Sequence, residues 1–405
     1  MSSAKASTPG DGVAWFGWVL GGVFALAPLL AWVGPLAFAP VAALGGLLTL
    51  RGLRITEEDR PAAIAVLVLA VWALSSTAWS PFTPTSLESA TGLKLLAQAV
   101  LYWALFRAAG AASAGTRIAA LRILVWGMAL LGLVLAVEAL TGAALYQALR
   151  TAIGDPIRPD LAVRNVAQGG FVLAVLTPAA AVAGRRIGAG IWPALLMVAG
   201  IAGASLRLEA DAPIIALVAS IMFGLSVYAW PVVAPRVLGG LAAVLFLAAP
   251  GIVWLTRKLG WYQQLEADVS LSWSQRMGYW RHAADWIGDH PLRGWGLDAS
   301  RMFAPGIKLH PHDAALQVWL ELGLIGAMAA AVFWCVVIAR QSGPNRDAGR
   351  AAGAATAGAY LVFSAVSFGV WQEWWLAVGA VAAAACLAVQ HQPELEKRPA
   401  QPSTS

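Results

Sequence analysis

Runs of roughly twenty apolar residues recur along this 405-residue chain. A hydrocarbon core about 30 Å thick takes that many residues per helix, and only helices or closed barrels satisfy every backbone polar group inside it. Twelve candidate spans are read at 14–33, 35–50, 62–80, 92–109, 117–141, 165–183, 188–204, 212–230, 236–255, 314–339, 351–371 and 374–391. The second is short and meets the first at Pro35, as a tight hairpin or a re-entrant pair. Charged residues make up 12% of the chain, about half the share in soluble domains. That excludes a soluble enzyme, a disordered chain and a disulfide scaffold. The expectation is an all-α, polytopic integral membrane protein of about twelve transmembrane helices. Residues 12–391 form one membrane domain between disordered tails at 1–11 and 392–405.

Lys and Arg in short loops set the orientation. Arg51, Arg54 and Arg60, then Arg107, Arg117 and Arg122, Arg185 and Arg186, Arg236, and Arg340, Arg346 and Arg350 fall on one side, with both tails. That side is read as cytoplasmic. Three connections on the other side are also basic: 142–164 with Arg150, Arg158 and Arg164, the turn near 205–211 with Arg207, and the long loop 256–313. Long translocated loops tolerate such charge. Arg outnumbers Lys there, however, and its planar fork suits phosphate, which favours an anion site on the outer face. The positive charge is not gathered into a nucleic-acid patch.

Within the long loop, serines precede QRMGYWRHAADWIGDHP, read as an amphipathic helix of about fifteen residues. Trp280, Ala283, Ala284 and Ile287 recur at helical spacing, giving an apolar face for the membrane surface. Arg276 lies one turn before Trp280, and Arg281 one turn before Asp285, where a surface ion pair is the better reading. Gly294-Trp295-Gly296 implies a tight turn with exposed backbone. The chain re-enters the membrane through His310-Pro311-His312-Asp313. Two histidines two apart make a poor zinc site, and Cys335 and Cys386 both lie in apolar stretches, so no metal is expected. Glu321, two and a half turns after His312, either reaches a polar cavity or pairs with a neighbouring helix.

These residues carry a resemblance. DHPLRGWGLDASRMF (289–303) followed by HPHDAALQVWLELGLIG (310–326) resembles the signature of the O-antigen ligase and O-antigen polymerase superfamily. In the ligases a His and an Asn, Ser or Gln are followed by nine residues and Gly-x-x-Gly; His312-Asp313, nine residues and Gly323-Leu324-Ile325-Gly326 match that spacing. SWSQRMGYW (272–280) is similar to the family's serine–arginine segment, and the match is specific over residues 270–330. Asp313 departs from the amide or hydroxyl usual in the ligases. Ser205-Leu206-Arg207 stands one residue out of the family's upstream Ser-Arg-Gly pattern, and Arg164-Asn165 fits its other Arg/Asn approach loosely.

The resemblance implies a glycosyltransferase of the bacterial inner membrane. Its donor would be a glycan on undecaprenyl pyrophosphate, its acceptor lipid A-core or another glycan, and its active site periplasmic, with no metal, nucleotide or other cofactor. His312 is then the candidate catalytic residue, as general base or as a hydrogen-bond partner of phosphate. Arg207, Arg276 and Arg164 are candidates for the pyrophosphate, with His310, Arg281, Asp313 and Glu321 in support. A polysaccharide polymerase or a protein O-oligosaccharyltransferase of the same superfamily would use the same parts. A transporter or flippase is the reading from another class; it calls for charge at mid-membrane and internal repeats, and the spans here carry mainly Glu138 and Glu321.

Overall fold

The computed structural model describes residues 13–208 and 210–392, and these are helical with no strand among them. Gln392 apart, the two expected tails lie outside the described residues, as does Glu209. The helices are α1 (Ala14–Val33), α2 (Phe38–Leu48), α3 (Arg60–Ser76), α4 (Thr91–Ala111), α5 (Ala114–Thr141), α6 (Ala144–Ala152), α7 (Pro159–Arg186) and α8 (Trp192–Arg207). Then follow α9 (Asp211–Ala229), α10 (Ala234–Lys258), α11 (Trp261–Asp268), α12 (Leu271–Ile287), α13 (Ala314–Ala339), α14 (Ala348–Val366) and α15 (Glu373–Gln390). Seven of them (α1, α5, α7, α9, α10, α13 and α15) are long and apolar enough to cross a membrane, and α3 and α8 are shorter apolar helices. The chain is a polytopic membrane protein.

With lipid as the solvent, apolar burial alone does not drive helix association; close packing of small residues does much of it. Gly132 of α5 and Gly200 of α8 lie so near that a Cβ on either would fall within 2.6 Å of the other helix's backbone. α7 and α15 are the most enclosed spans, whereas α9 and α10 are mostly open and turn Ile221, Leu225, Leu241 and Leu245 outward. One end of the bundle is tied by charge. Asp59, fully buried before α3, pairs with Arg107 of α4 at 3.0 Å and with Arg340 after α13. Loop 259–313 covers the opposite end.

Three elements differ from the expectation. α7 begins at Pro159, six residues before the expected span, so Arg164 sits inside it. A short helix, α6, occupies the preceding connection, and the buried Glu138 carboxylate accepts the Leu145 and Tyr146 amides at its start and the Trp32 indole N–H. A carboxylate at a helix N-terminus is stabilised by the unpaired amides there. Finally, the apolar face of α12 does not lie on a membrane surface. Met277, Ala283 and Ile287 are buried against Val253 of α10, Tyr262 of α11, and Leu316 and Leu320 of α13. An apolar stripe fits protein as well as lipid, and here α10 and α13 lie beneath it.

Candidate functional site

α13 is not one continuous helix. Gly323 has φ +64° and ψ −160°, a conformation open essentially to glycine alone, and it breaks the ladder one third of the way along. Backbone groups freed within a membrane-spanning helix are tolerated only when protein satisfies them. Loop 291–296 does so. The amides of Trp295 and Gly296 donate to the carbonyls of Leu320 and Glu321 at 2.9 and 2.7 Å, and the Leu324 amide donates to Pro291 O at 2.9 Å. The Trp72 indole of α3 donates to Leu322 O. Contact is close enough that a Cβ on Gly294 would stand 2.4 Å from the Glu321 backbone, and one on Gly323 2.4 Å from Leu292 O. Gly294 and Gly296 do form the expected tight turn, at φ +71° and +100°, but its backbone is buried in this joint rather than exposed. The two halves of the sequence signature are therefore one structural unit.

Glu321 fastens the unit. Its fully buried carboxylate accepts from the Asp298 amide at 2.8 Å, the Trp371 indole at 2.6 Å and the Gln317 amide at 3.1 Å. It does not pair with a neighbouring helix: its partners are the loop, the link 367–372 and Gln317 of α13 itself, and through them it holds the loop to α13 and to the link.

The joint fixes the segment that carries the histidines. Asp313 is the N-cap of α13, with Oδ1 accepting the Leu316 amide at 2.9 Å. Asn, Asp and Ser are comparable at such a position, so Asp313 fills the place that an amide or hydroxyl fills in the ligases. Burial pushes its pKa up to about 6. His312, just outside the helix, has φ +57°. Its Nδ1 lies 2.7 Å from the carbonyl of Ser367, which can only accept, so Nδ1 carries the proton and the neutral ring leaves a lone pair on Nε2. Tyr279 of α12 stacks on the ring, its centroid 6.1 Å away and nearly parallel. Burial lowers the pKa of His312; the bond to Ser367 opposes that, and the charge of Arg276 adds to it. The imidazole is thus a neutral base at neutral pH.

Arg276 shares an α12 face with Tyr279, one turn apart, and acts electrostatically on His312. Its guanidinium lies 5.2 Å from the Trp273 ring and donates to Ser272 Oγ at 2.8 Å, while its buried Nε has no partner among the described residues. Burial lowers its pKa, and Asp211 at the start of α9 pulls it back up. Tyr279, stacked on His312 and one turn from Arg276, thus links the arginine to the histidine.

The other arginines are placed differently. Arg207 at the end of α8 and Arg164 in α7 are exposed, with no hydrogen bond or ion pair among the described residues. Gly170 of α7 abuts Ala204 of α8 and Pro213 of α9, so both emerge at the loop-covered end beyond that contact. Neither touches His312. Arg281 is in an ion pair, as expected, but with Glu266 at 3.2 Å, because Asp285 is taken by Arg257 at 2.6 Å. Arg301 is bound to Asp298 at 3.0 Å and lies over Phe82. Tyr279, Ser367 and Trp371 belong to the site and were not anticipated. For Tyr279 the signal was its spacing of three from Arg276; nothing in the sequence marked Ser367.

Beside the histidines an apolar cleft of about 400 Å³ runs between α3, α4, α13, α14 and α15. Leu69, Tyr102, Phe333, Trp334, Tyr360 and Leu376 line it, and Ala314 and Val370 reach its wall within a few residues of His312 and Ser367. Among the described residues, no three His, Cys, Asp or Glu side chains gather as a metal site would need.

Residues 194–331 match the family model described as O-antigen ligase, a stretch running from α8 through the Gly323 break. A Rickettsia conorii protein named "Putative polysaccharide ligase" is 29% identical over 123 residues, covering 26% of this chain and 29% of that protein. Similarly named proteins of Rickettsia prowazekii and Rickettsia bellii are 28% and 32% identical over 123 and 122 residues, again 26% of this chain and 30% and 29% of theirs. The resemblance to the O-antigen ligases thus holds over the part of the site from α8 to the Gly323 break, while Arg164, Ser367 and Trp371 lie outside the matched residues. The matched stretch spans under a third of the relatives' length.

Proposed function

We propose that this protein is a ligase-like glycosyltransferase of the bacterial inner membrane. It moves a glycan from undecaprenyl pyrophosphate to an acceptor sugar, of the lipid A-core type, on the periplasmic face. Both termini are cytoplasmic in this reading, the chain crosses twelve times, and loop 256–313 is periplasmic. The observation that carries it is the imidazole of His312, oriented through Nδ1 by the Ser367 carbonyl so that Nε2 is left as the base, and stacked on Tyr279, which lies one turn from Arg276 on α12.

The chemistry follows from those groups. His312 Nε2 takes the proton of the acceptor hydroxyl as its oxygen attacks the anomeric carbon. The carbon–oxygen bond to the carrier breaks, and the pyrophosphate leaves with the electron pair. That group needs its growing charge met by fixed donors in a partly dry site. Arg276, one turn from the tyrosine that stacks on the base, is the first such donor, and Arg207 and Arg164, without partners among the described residues, offer further forks at the same end. His310, Asp313 and Glu321 support the base without meeting substrate, and Arg281 holds α12 to α11. The apolar cleft offers a place for the carrier's hydrocarbon chain next to the reacting end. Single displacement inverts the anomeric centre.

The test is reconstitution. Purified protein in liposomes, given a glycan on undecaprenyl pyrophosphate and a lipid A-core acceptor, is expected to yield the joined product with an inverted linkage by NMR and with chelator present. Glycan chains that lengthen on the carrier instead would indicate a polymerase. No product from any polyprenyl pyrophosphate donor would refute the proposal.

A further inference from the structure

We infer that His310 is a positioning residue that fixes the working orientation of His312; this rests on the transferase reading above. His312 sits at φ +57°, in the left-handed region where a residue with a Cβ is strained. Something must hold it there. Its backbone N–H donates to Nδ1 of His310 at 3.2 Å, and the two rings lie 4.2 Å apart across Pro311, whose own φ is locked.

His310 is itself immobilised. Its side chain is buried, and its ring lies so close over Gly369 that a Cβ there would come within 2.9 Å. Nε2 faces the side-chain amide of Gln372, the N-cap residue of α15, at 3.3 Å. Both rings therefore rest on one short link between α14 and α15: His312 on the Ser367 carbonyl, His310 on Gly369 and Gln372. With Nδ1 accepting, Nε2 carries the proton and donates to the Gln372 side-chain amide when that amide turns its buried, otherwise unpartnered oxygen to the ring, so no nitrogen is left for substrate. Its contribution is geometric. Burial, aided by the charges of His312 and Arg301, lowers its pKa to about 3, so the accepting lone pair is present throughout the working range.

The same link also receives Glu321 through Trp371, so the broken helix, the cap and the base share one support. A base displaced by about 1 Å loses rate by about 10²-fold, and that is the scale of effect expected here.

Two substitutions separate an acceptor role from a filling role. Asn at 310 places Oδ1 near the position of Nδ1 and can accept the His312 amide; Leu fills the space and cannot. In the reconstituted transfer assay, His310→Asn is expected to keep kcat within about tenfold of wild type, the scale of one altered hydrogen bond. His310→Leu is expected to lose about 10²-fold in kcat with the KM for the lipid-linked donor unchanged. Wild-type kcat in His310→Leu, or equal losses in both variants, would overturn the inference. His312→Ala in the same assay keeps the two claims apart. If wild type gives no product, the transferase reading fails; if His312→Ala transfers normally, His312 is not the base and His310 has nothing to position; if His312→Ala is inactive while His310→Leu is active, only the positioning role fails.

Discussion

The Nδ1–H of His312 donates to the main-chain carbonyl of Ser367 at 2.7 Å, joining residues 55 positions apart in the chain. A carbonyl cannot change its protonation state, so the bond fixes the tautomer and presents Nε2 as the base. The same logic governs catalytic imidazoles oriented by an acceptor on one nitrogen while the other does the chemistry.

The pH dependence follows with a definite sign. Burial and Arg276 depress the pKa of His312, so the base stays unprotonated until the pH falls below the ordinary histidine range. The acid limb of kcat/KM is expected below about pH 6.5. Asp313 also titrates, near 6, and the profile of Asp313→Asn removes that contribution. A limb at or above 6.5 in Asp313→Asn would contradict the assignment of His312.

Asp313 acts here as a cap. Asn caps as well as Asp, so Asp313→Asn is expected to fold and transfer at close to the wild-type rate. Asp313→Ala leaves the Leu316 amide without its partner and is expected to cost about 1 kcal/mol of stability, read as a lower melting temperature in detergent. Complete loss of transfer in Asp313→Asn would give the carboxylate a chemical role instead.

Arg276→Lys replaces a planar fork by a point charge of the same sign. The expected loss in kcat is about 10²-fold, the scale of one transition-state donor, against little change for Arg236→Lys, exposed at the opposite end. Similar losses at both sites would mean that net charge matters and the fork does not.

The break in α13 has its own test. Gly323→Ala forces a Cβ to within 2.4 Å of Leu292 O at a φ and ψ that alanine avoids, and is expected to cost about 3 kcal/mol or more. Gly240→Ala in α10, with open space around it, is the control. Equal melting temperatures for the two variants would show that loop 291–296 is not locked to the helix break.

What the sequence made legible follows from the range of each signal. A helix stands at each of the twelve expected places, because a run of apolar residues is a local pattern. The spacing from His312 to Gly323 was visible for the same reason. The role of Gly323 was not, since a glycine in an apolar run reads as an ordinary helical residue until Leu292 and Gly294, far upstream in the chain, are in place against it. Trp280 to Ile287 repeat at a spacing that fits lipid or protein equally, and only α10 and α13 decided between them. Arg281 had an acceptor four residues on and took Glu266 instead, because Arg257 had claimed Asp285. Ser367 contributes a backbone carbonyl, which leaves no trace in residue identity.

The most direct measurement is the transfer rate of His312→Ala in liposomes, beside wild type and with folding checked by melting temperature. Removing a general base of this kind is expected to lower kcat by about 10²–10⁴-fold while the protein stays folded. A folded His312→Ala protein that transfers glycan at the wild-type rate would contradict the account.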